Sequence, residues 1–166
     1  MNGLSFLVGN ELFAVDVTLV QKVARKLAVT PVPSAPVEVI GIANLKGRVI
    51  TVLSLSRLLG DFSTDESDQY LNIIVFKSGS GSDDQMGLAI IKPGNLIEIK
   101  LEDIKPPPVA PGIEGNFCIS GVIEVDDVFY RIIDIDSIQN KYIPDIPGTD
   151  SIIGNSSFGG NEDESI

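Results

Sequence analysis

The chain has 166 residues, which suits one ordinary domain or two small ones sharing a core. A chain of this length buries roughly 70% of its unfolded surface and needs no metal or disulfide staple. Its 12 basic and 23 acidic residues give a net charge of −11, which argues against a nucleic-acid partner and against an anionic membrane surface, both of which call for a basic face.

The apolar content is 43% and the mean hydropathy +0.25, values of a core-rich soluble protein. No apolar run approaches the ~20 residues that span a bilayer. The start, MNGLSFLVGNELF, lacks a basic segment followed by a long apolar one, so no signal peptide is expected. The single cysteine, Cys118, excludes an internal disulfide and fits a reducing compartment. It lies in NFCISGVI, where an inert buried thiol is expected.

In chain order, Ser5–Val8 reads as an apolar strand, ended by the turn Gly9–Asn10 and answered by Glu11–Val15. Asp16 is placed to cap a short helical turn through Val17–Gln21. Val20, Val23 and Leu27 recur at helical spacing, but strand alternation also fits. Three prolines in VTPVPSAP favour an extended crossing. The next stretch, Val39–Leu59, predicts a hairpin with apolar strands at Ile40–Ala43 and Val49–Leu55. Its tip is Asn44, Leu45, Lys46, Gly47 and Arg48, where Gly47 permits positive φ and Asn44 can bond to nearby backbone. A short helix over Leu55–Leu59 follows, with Ser54 or Ser56 as its cap.

Gly60–Gln69 is a polar, acidic linker and the clearest internal boundary. Tyr70–Phe76 and Gly87–Ile91 read as strands around a flexible loop, and Leu96–Ile99 as another strand, while Leu101–Ile104 is ambiguous. After the proline crossing Pro106–Pro108, Phe117–Val125 and Val128–Ile135 form a hairpin around Asp126–Asp127. Asp134 or Asp136 caps a last short helix through Ile138. From Pro144 the composition predicts disorder, with residues 147–166 an acidic tail.

The second half repeats the first. Gly41 and Gly121 stand 80 positions apart (121 − 41), and the same offset superposes Val49–Leu53 on Phe129–Ile133 and Ser54–Ser56 on Asp134–Asp136. This is duplication of a β unit of roughly five strands, too small to be comfortable alone, so two units should pack through an apolar seam.

Enzymatic machinery is missing from the residue inventory. There is no histidine, hence no ordinary neutral-pH base and no Cys–His nucleophile. No GxSxG elbow or Walker lysine motif occurs, and Gly79-Ser80-Gly81 sits in a polar loop. Asp83–Asp84 and Asp126–Asp127 read as solvated turn acids, and Asp134 and Asp136 as helix caps. What remains is recognition. Val17, Val20, Val23 and Leu96–Ile99 are either core or the wall of a groove between the two units, fit to take the apolar face of a partner helix. Lys46 and Arg48 are either solvated tip charges or rim contacts for an acidic partner.

The stretches FLVGNELFAVDVTLVQKV, VTPVPSAPVEVIGIANLKGRVITVLSL, LEDIKPPP and RIIDID, in this order and spacing, resemble the CheW family of chemotaxis coupling proteins, from about Phe6 to Gln139. The resemblance implies an all-β fold of two small five-stranded SH3-like β-barrels packed together, with short helices. Residues 1–146 would form one CheW-like domain. Its subdomains would run over about 10–68 and about 70–140, with the pairing of the terminal strands left open. It further implies a non-catalytic adaptor, without cofactor or metal. The adaptor would couple the cytoplasmic tips of chemoreceptors to the regulatory domain of the histidine kinase CheA, and would be cytoplasmic, recruited to membrane-anchored receptor arrays. The alternatives are an adaptor of a chemosensory-like system for pilus-based or gliding motility and, from another class, a small β-barrel ligand-binding domain.

Carried over by position, the resemblance implies partner contacts at Val20, Gln21, Lys22 and Gly41 and at the tip Asn44, Leu45, Lys46 and Gly47. It implies a receptor groove drawing on Val17, Val20, Ile90 and Leu96. The chain departs from the family pattern at Lys22 (often Glu), Lys46 (often Arg), Thr51 (often Pro), and Ser54 and Ile91 (often Asp). Lys46 keeps the charge of Arg but loses its planar fork.

Overall fold

A computed structural model describes residues 1–61, 70–78, 84–107 and 117–142. The expected linker core, the tip of the 77–85 loop, the end of the second proline crossing and the acidic tail lie outside the described residues.

The chain opens with β1 (Asn2–Val8) and β2 (Glu11–Asp16), paired antiparallel around Gly9 at φ +60°. A single 3-10 turn, Val17–Leu19, leads into β3 (Val20–Thr30). Asp16 caps that turn as expected, its Oδ1 accepting from the Thr18 N–H at 3.0 Å. The helical spacing at Val20, Val23 and Leu27 proves to belong to a strand. Two register shifts along its pairing with β6 (Tyr70–Phe76), one between Val20 and Lys22 and one between Ala24 and Leu27, break the plain alternation. At the second shift Lys26 has φ 52°, and its N–H is satisfied by Asn72 Oδ1 at 3.1 Å.

The hairpin of β4 (Val39–Leu45) and β5 (Arg48–Ser54) forms as the sequence predicts. Ser54 caps α1 (Leu55–Leu58) by accepting from the Arg57 N–H at 3.2 Å. β7 (Gln85–Ile90) follows, then β8 (Lys92–Glu98), which starts four residues earlier than its apolar pattern suggests. A 3-10 turn, Leu101–Asp103, resolves the ambiguous stretch. β9 (Ile119–Val125) and β10 (Val128–Ile133) make the second hairpin, and Asp134 caps α2 (Ile135–Tyr142) through the Ser137 N–H at 3.1 Å.

The repeat is structural. The turn residues Lys46 and Gly47 have φ 52° and 85°, and Asp126 and Asp127 have φ 53° and 64°, so both hairpins turn with two positive φ angles. In both, the helix after the second strand is capped by the residue 80 positions apart, Ser54 and Asp134.

Sheet membership departs from sequence order. One sheet closes as a barrel, β3-β4-β5-β7-β6, and the other is a five-stranded sheet ordered β8-β1-β2-β10-β9. The expected division into about 10–68 and about 70–140 therefore differs from the one observed. β6 and β7 complete the barrel of the first half, and β1 and β2 sit in the middle of the sheet of the second. Each half has lent its opening hairpin to the other. The links permit this because they are short: Val17–Leu19 carries the chain from one sheet into the other, and Ile91 alone carries it back. The second sheet has one bridge, Lys105 to Val122, where the barrel has Thr30 beside Ile42.

Three apolar clusters follow from this exchange. Ala24, Val29, Ile50, Val52, Ile73 and Val75 fill the barrel. Ala14, Ile99, Ile123 and Ile132 line the inside of the second sheet. Between them lies a shared seam with Phe6, Phe13, Leu53, Ile74, Phe76, Met86, Leu88 and Ile135 at its heart. Alternate residues of β6 therefore face two different cores, which is why Ile73–Phe76 is a continuous apolar run and not an alternating one.

Candidate functional site

Strand register gathers most of the proposed contact residues at one end of the barrel. β3 begins beside Phe76, where β6 ends, and Gln85 opens β7 next to Ile50, two residues beyond Arg48. The 44–47 turn and Val20-Gln21-Lys22 thus share this end. Val17 and Leu19 approach it from the preceding 3-10 turn, and the Lys77 N–H donates to Leu19 O at 2.9 Å.

The turn is rigid by construction. Asn44 Oδ1 accepts from the Gly47 N–H at 2.9 Å, as the sequence suggests, and Gly47 holds its positive φ in open space. Asn44, Lys46 and Gly47 are exposed, and Leu45 is half-buried against the barrel core. Lys46 itself adopts positive φ, which directs the backbone at the tip before any partner arrives.

Gly41 plays a different part. It is buried, and a Cβ placed on it would lie 2.7 Å from the Thr30 carbonyl carbon. Its smallness lets β4 approach the end of β3, so it has no exposed side chain to offer a partner. Gly121 repeats the arrangement, with an added Cβ 2.9 Å from Lys105 O.

Val20 is half-buried and packs on the shared seam, whereas Gln21 and Lys22 are exposed. Leu96 is 63% exposed on β8 and lies beside Leu4, which in turn lies beside Val15. It therefore stands two strands away from the approach to Val17. Ile90 is not with them. It sits at the far end of β7 from Gln85 and is buried in the seam.

The structure adds two residues that a helical reading of 20–27 hides. Arg25 and Lys26 are exposed on β3. With Lys22, Lys46 and Arg48 they give five cations on β3, β4, β5 and the turn between them, and no acid occurs in those elements. The charge pattern of a strand was the signal that would have found them. The second hairpin carries the opposite sign at its tip, Asp126–Asp127, with Glu124 beside it. A protein with net charge −11 thus keeps a cationic barrel.

Nothing in the described residues is arranged for catalysis or metal binding. No group of three or more Cys, Asp or Glu side chains is placed to hold a metal ion there. Cys118 is fully buried, and burial pushes its thiol up to about 11, so it is a poor nucleophile. No described helix is long and apolar enough to cross a membrane.

Comparison with known proteins agrees with this architecture. The chain is similar to the chemotaxis protein CheW of Treponema pallidum, 29% identical over 135 residues that cover 80% of this chain and 78% of the relative. It is 27% identical to the chemotaxis protein CheW of Rhizobium meliloti over 136 residues, covering 81% and 84%. The solved structure of the scaffolding protein TtCheW from Thermoanaerobacter tengcongensis superposes with a TM-score of 0.67 at 26% identity, covering 80% of this chain and 88% of that one. Residues 2–142 match the family described as the CheW-like domain, and the chain belongs to that family.

Proposed function

We propose that this chain couples the cytoplasmic tips of chemoreceptors to the regulatory domain of the histidine kinase CheA, at receptor arrays anchored in the membrane. The coarser statement needs no proposal: as a CheW-family member the chain is a non-catalytic adaptor of chemotaxis signal transduction. The observation that carries the finer reading is the gathering of Val20-Gln21-Lys22 and Asn44–Gly47 at one exposed, cationic end of the barrel. Strand ends and a hydrogen-bonded turn fix the backbone from which these side chains project, so the ordering cost on binding falls on the side chains. The cations suit an acidic rim on the partner, and exposed Leu96 offers an apolar contact for a helix.

Co-sedimentation with receptor cytoplasmic fragments and CheA from the same genome tests this. A ternary complex that weakens in Lys46→Glu is the expected result. Failure to assemble with every encoded receptor–kinase pair would overturn the reading. Assembly only with components of a pilus or gliding system would move the adaptor to that pathway.

A further inference from the structure

The register shift between Val20 and Lys22 leaves Gln21 as the extra residue of a β-bulge: Val20 lies beside Phe76 and Lys22 beside Val75. A bulge at the end of a strand needs something to hold it, and here the holder is a buried amide. Gln85 is 3% exposed, one of four buried polar residues among those described. Its Nε2 donates to Phe76 O at 3.3 Å and to Gln21 Oε1. The Phe76 carbonyl only accepts, so it fixes which end of the Gln85 amide faces it. Gln85 must then meet Gln21 with a donor, and Gln21 must answer with its oxygen.

From this geometry we infer that Gln85 is the positioning residue of the proposed contact surface. By engaging Gln21 Oε1 it turns the Gln21 NH2 group outward and sets a donor beside Lys22 at this end of the barrel. The Gln21 NH2 has no partner among the described residues and joins the exposed Lys22, Lys46 and Arg48. The three cations of that set donate and do not accept, and the neighbouring Asn44 oxygen is already engaged once, by the Gly47 N–H. The partner group that fits is an acceptor without a competing donor: a carboxylate, or backbone carbonyls at a helix C-terminus. The inference rests on the coupling role proposed above and specifies the chemistry of that contact.

The test uses the full-length protein with receptor fragment and kinase, and three variants. Gln85→Met keeps the side-chain length and removes the donor. Gln21→Met removes the outward NH2, and Gln21→Glu replaces it by an acceptor. The expected result is a loss of about tenfold in partner affinity for Gln85→Met and Gln21→Met, no further loss in the double variant, and a larger loss for Gln21→Glu. Amide hydrogen exchange at residues 20–22, measured without partners, should speed up in Gln85→Met. If Gln85→Met fails to fold, the exposed Gln21 variants decide. Wild-type affinity in both Gln21 variants would overturn the inference. Additive losses in the double variant would also overturn it, because clamp and donor would then act independently. If the wild-type protein binds neither partner, the coupling role fails instead. Faster exchange at 20–22 in Gln21→Met would then still establish the clamp, and unchanged exchange would refute it.

Discussion

The Tyr142 hydroxyl donates to Glu38 Oε1 at 2.7 Å, and this bond joins the last described turn of α2 to the segment that enters β4. Glu38 is also bound to the barrel through its main chain, since its carbonyl accepts from the Ser54 N–H at 2.8 Å. The helix that follows the second sheet is therefore fastened to the cap of the first helix, across the exchanged hairpins. Tyr142 also packs on the shared seam, so the bond is backed by apolar contact.

Tyr142→Phe keeps that packing and deletes one bond to a charged acceptor. The expected loss is about 1–2 kcal/mol of unfolding free energy, read from urea denaturation. Glu38→Gln combined with Tyr142→Phe should cost less than the sum of the two single changes, because the residues touch.

Burial and the neighbouring Glu38 carboxylate hold the Tyr142 phenol above its ordinary range, and burial raises the Cys118 thiol to about 11 from 9.0. Both groups are neutral when protonated, so the folded state holds these protons more tightly than the unfolded chain does. The stability they contribute is fully present below pH 9 and falls as pH rises from about 9 to 11 for Cys118, and above 10 for Tyr142. Urea midpoints at pH 8, 10 and 11 should decline in that order. At pH 8 the Cys118 thiol should resist alkylation in buffer and react in denaturant.

Gly41→Ala and Gly47→Ala separate a packing glycine from a turn glycine. The first forces a methyl group onto the Thr30 backbone and should cost about 3 kcal/mol or more. The second has open space but φ +85°, and should cost about 1 kcal/mol. Melting temperatures rank the two. Equal effects would remove the distinction.

Val20→Glu should weaken partner binding, because it puts a charge where a half-buried side chain meets both the seam and the contact surface. Its exposed side lets the carboxylate reach water, so folding should survive with a loss of about 1–2 kcal/mol. Circular dichroism and co-sedimentation on the same sample check both halves. An unfolded variant would assign Val20 to the core alone.

Much was legible in the sequence because it depends on neighbours in the chain. Caps need a side-chain oxygen within three residues, so Asp16, Ser54 and Asp134 were candidates before the fold was known. The turn at Asn44–Gly47 announces itself by residues that tolerate positive φ. The duplication shows as an offset of 80 because both copies obey the same local rules. β3 was harder. Two bulges shift the phase of its alternation, and a phase-shifted strand imitates helical spacing at Val20, Val23 and Leu27.

The sequence by itself determined a duplicated all-β protein with two apolar hairpins, two capped helices and a cationic tip on an acidic chain. Only the tertiary structure decided which hairpin completes which sheet, because strand edges offer the same N–H and C=O groups to any partner and sequence distance does not rank them. That choice put β6 and β7 in the barrel, and β1 and β2 in the other sheet. It made the seam, buried Ile90 far from Gln21, and brought Gln85 under the bulge that displays Gln21.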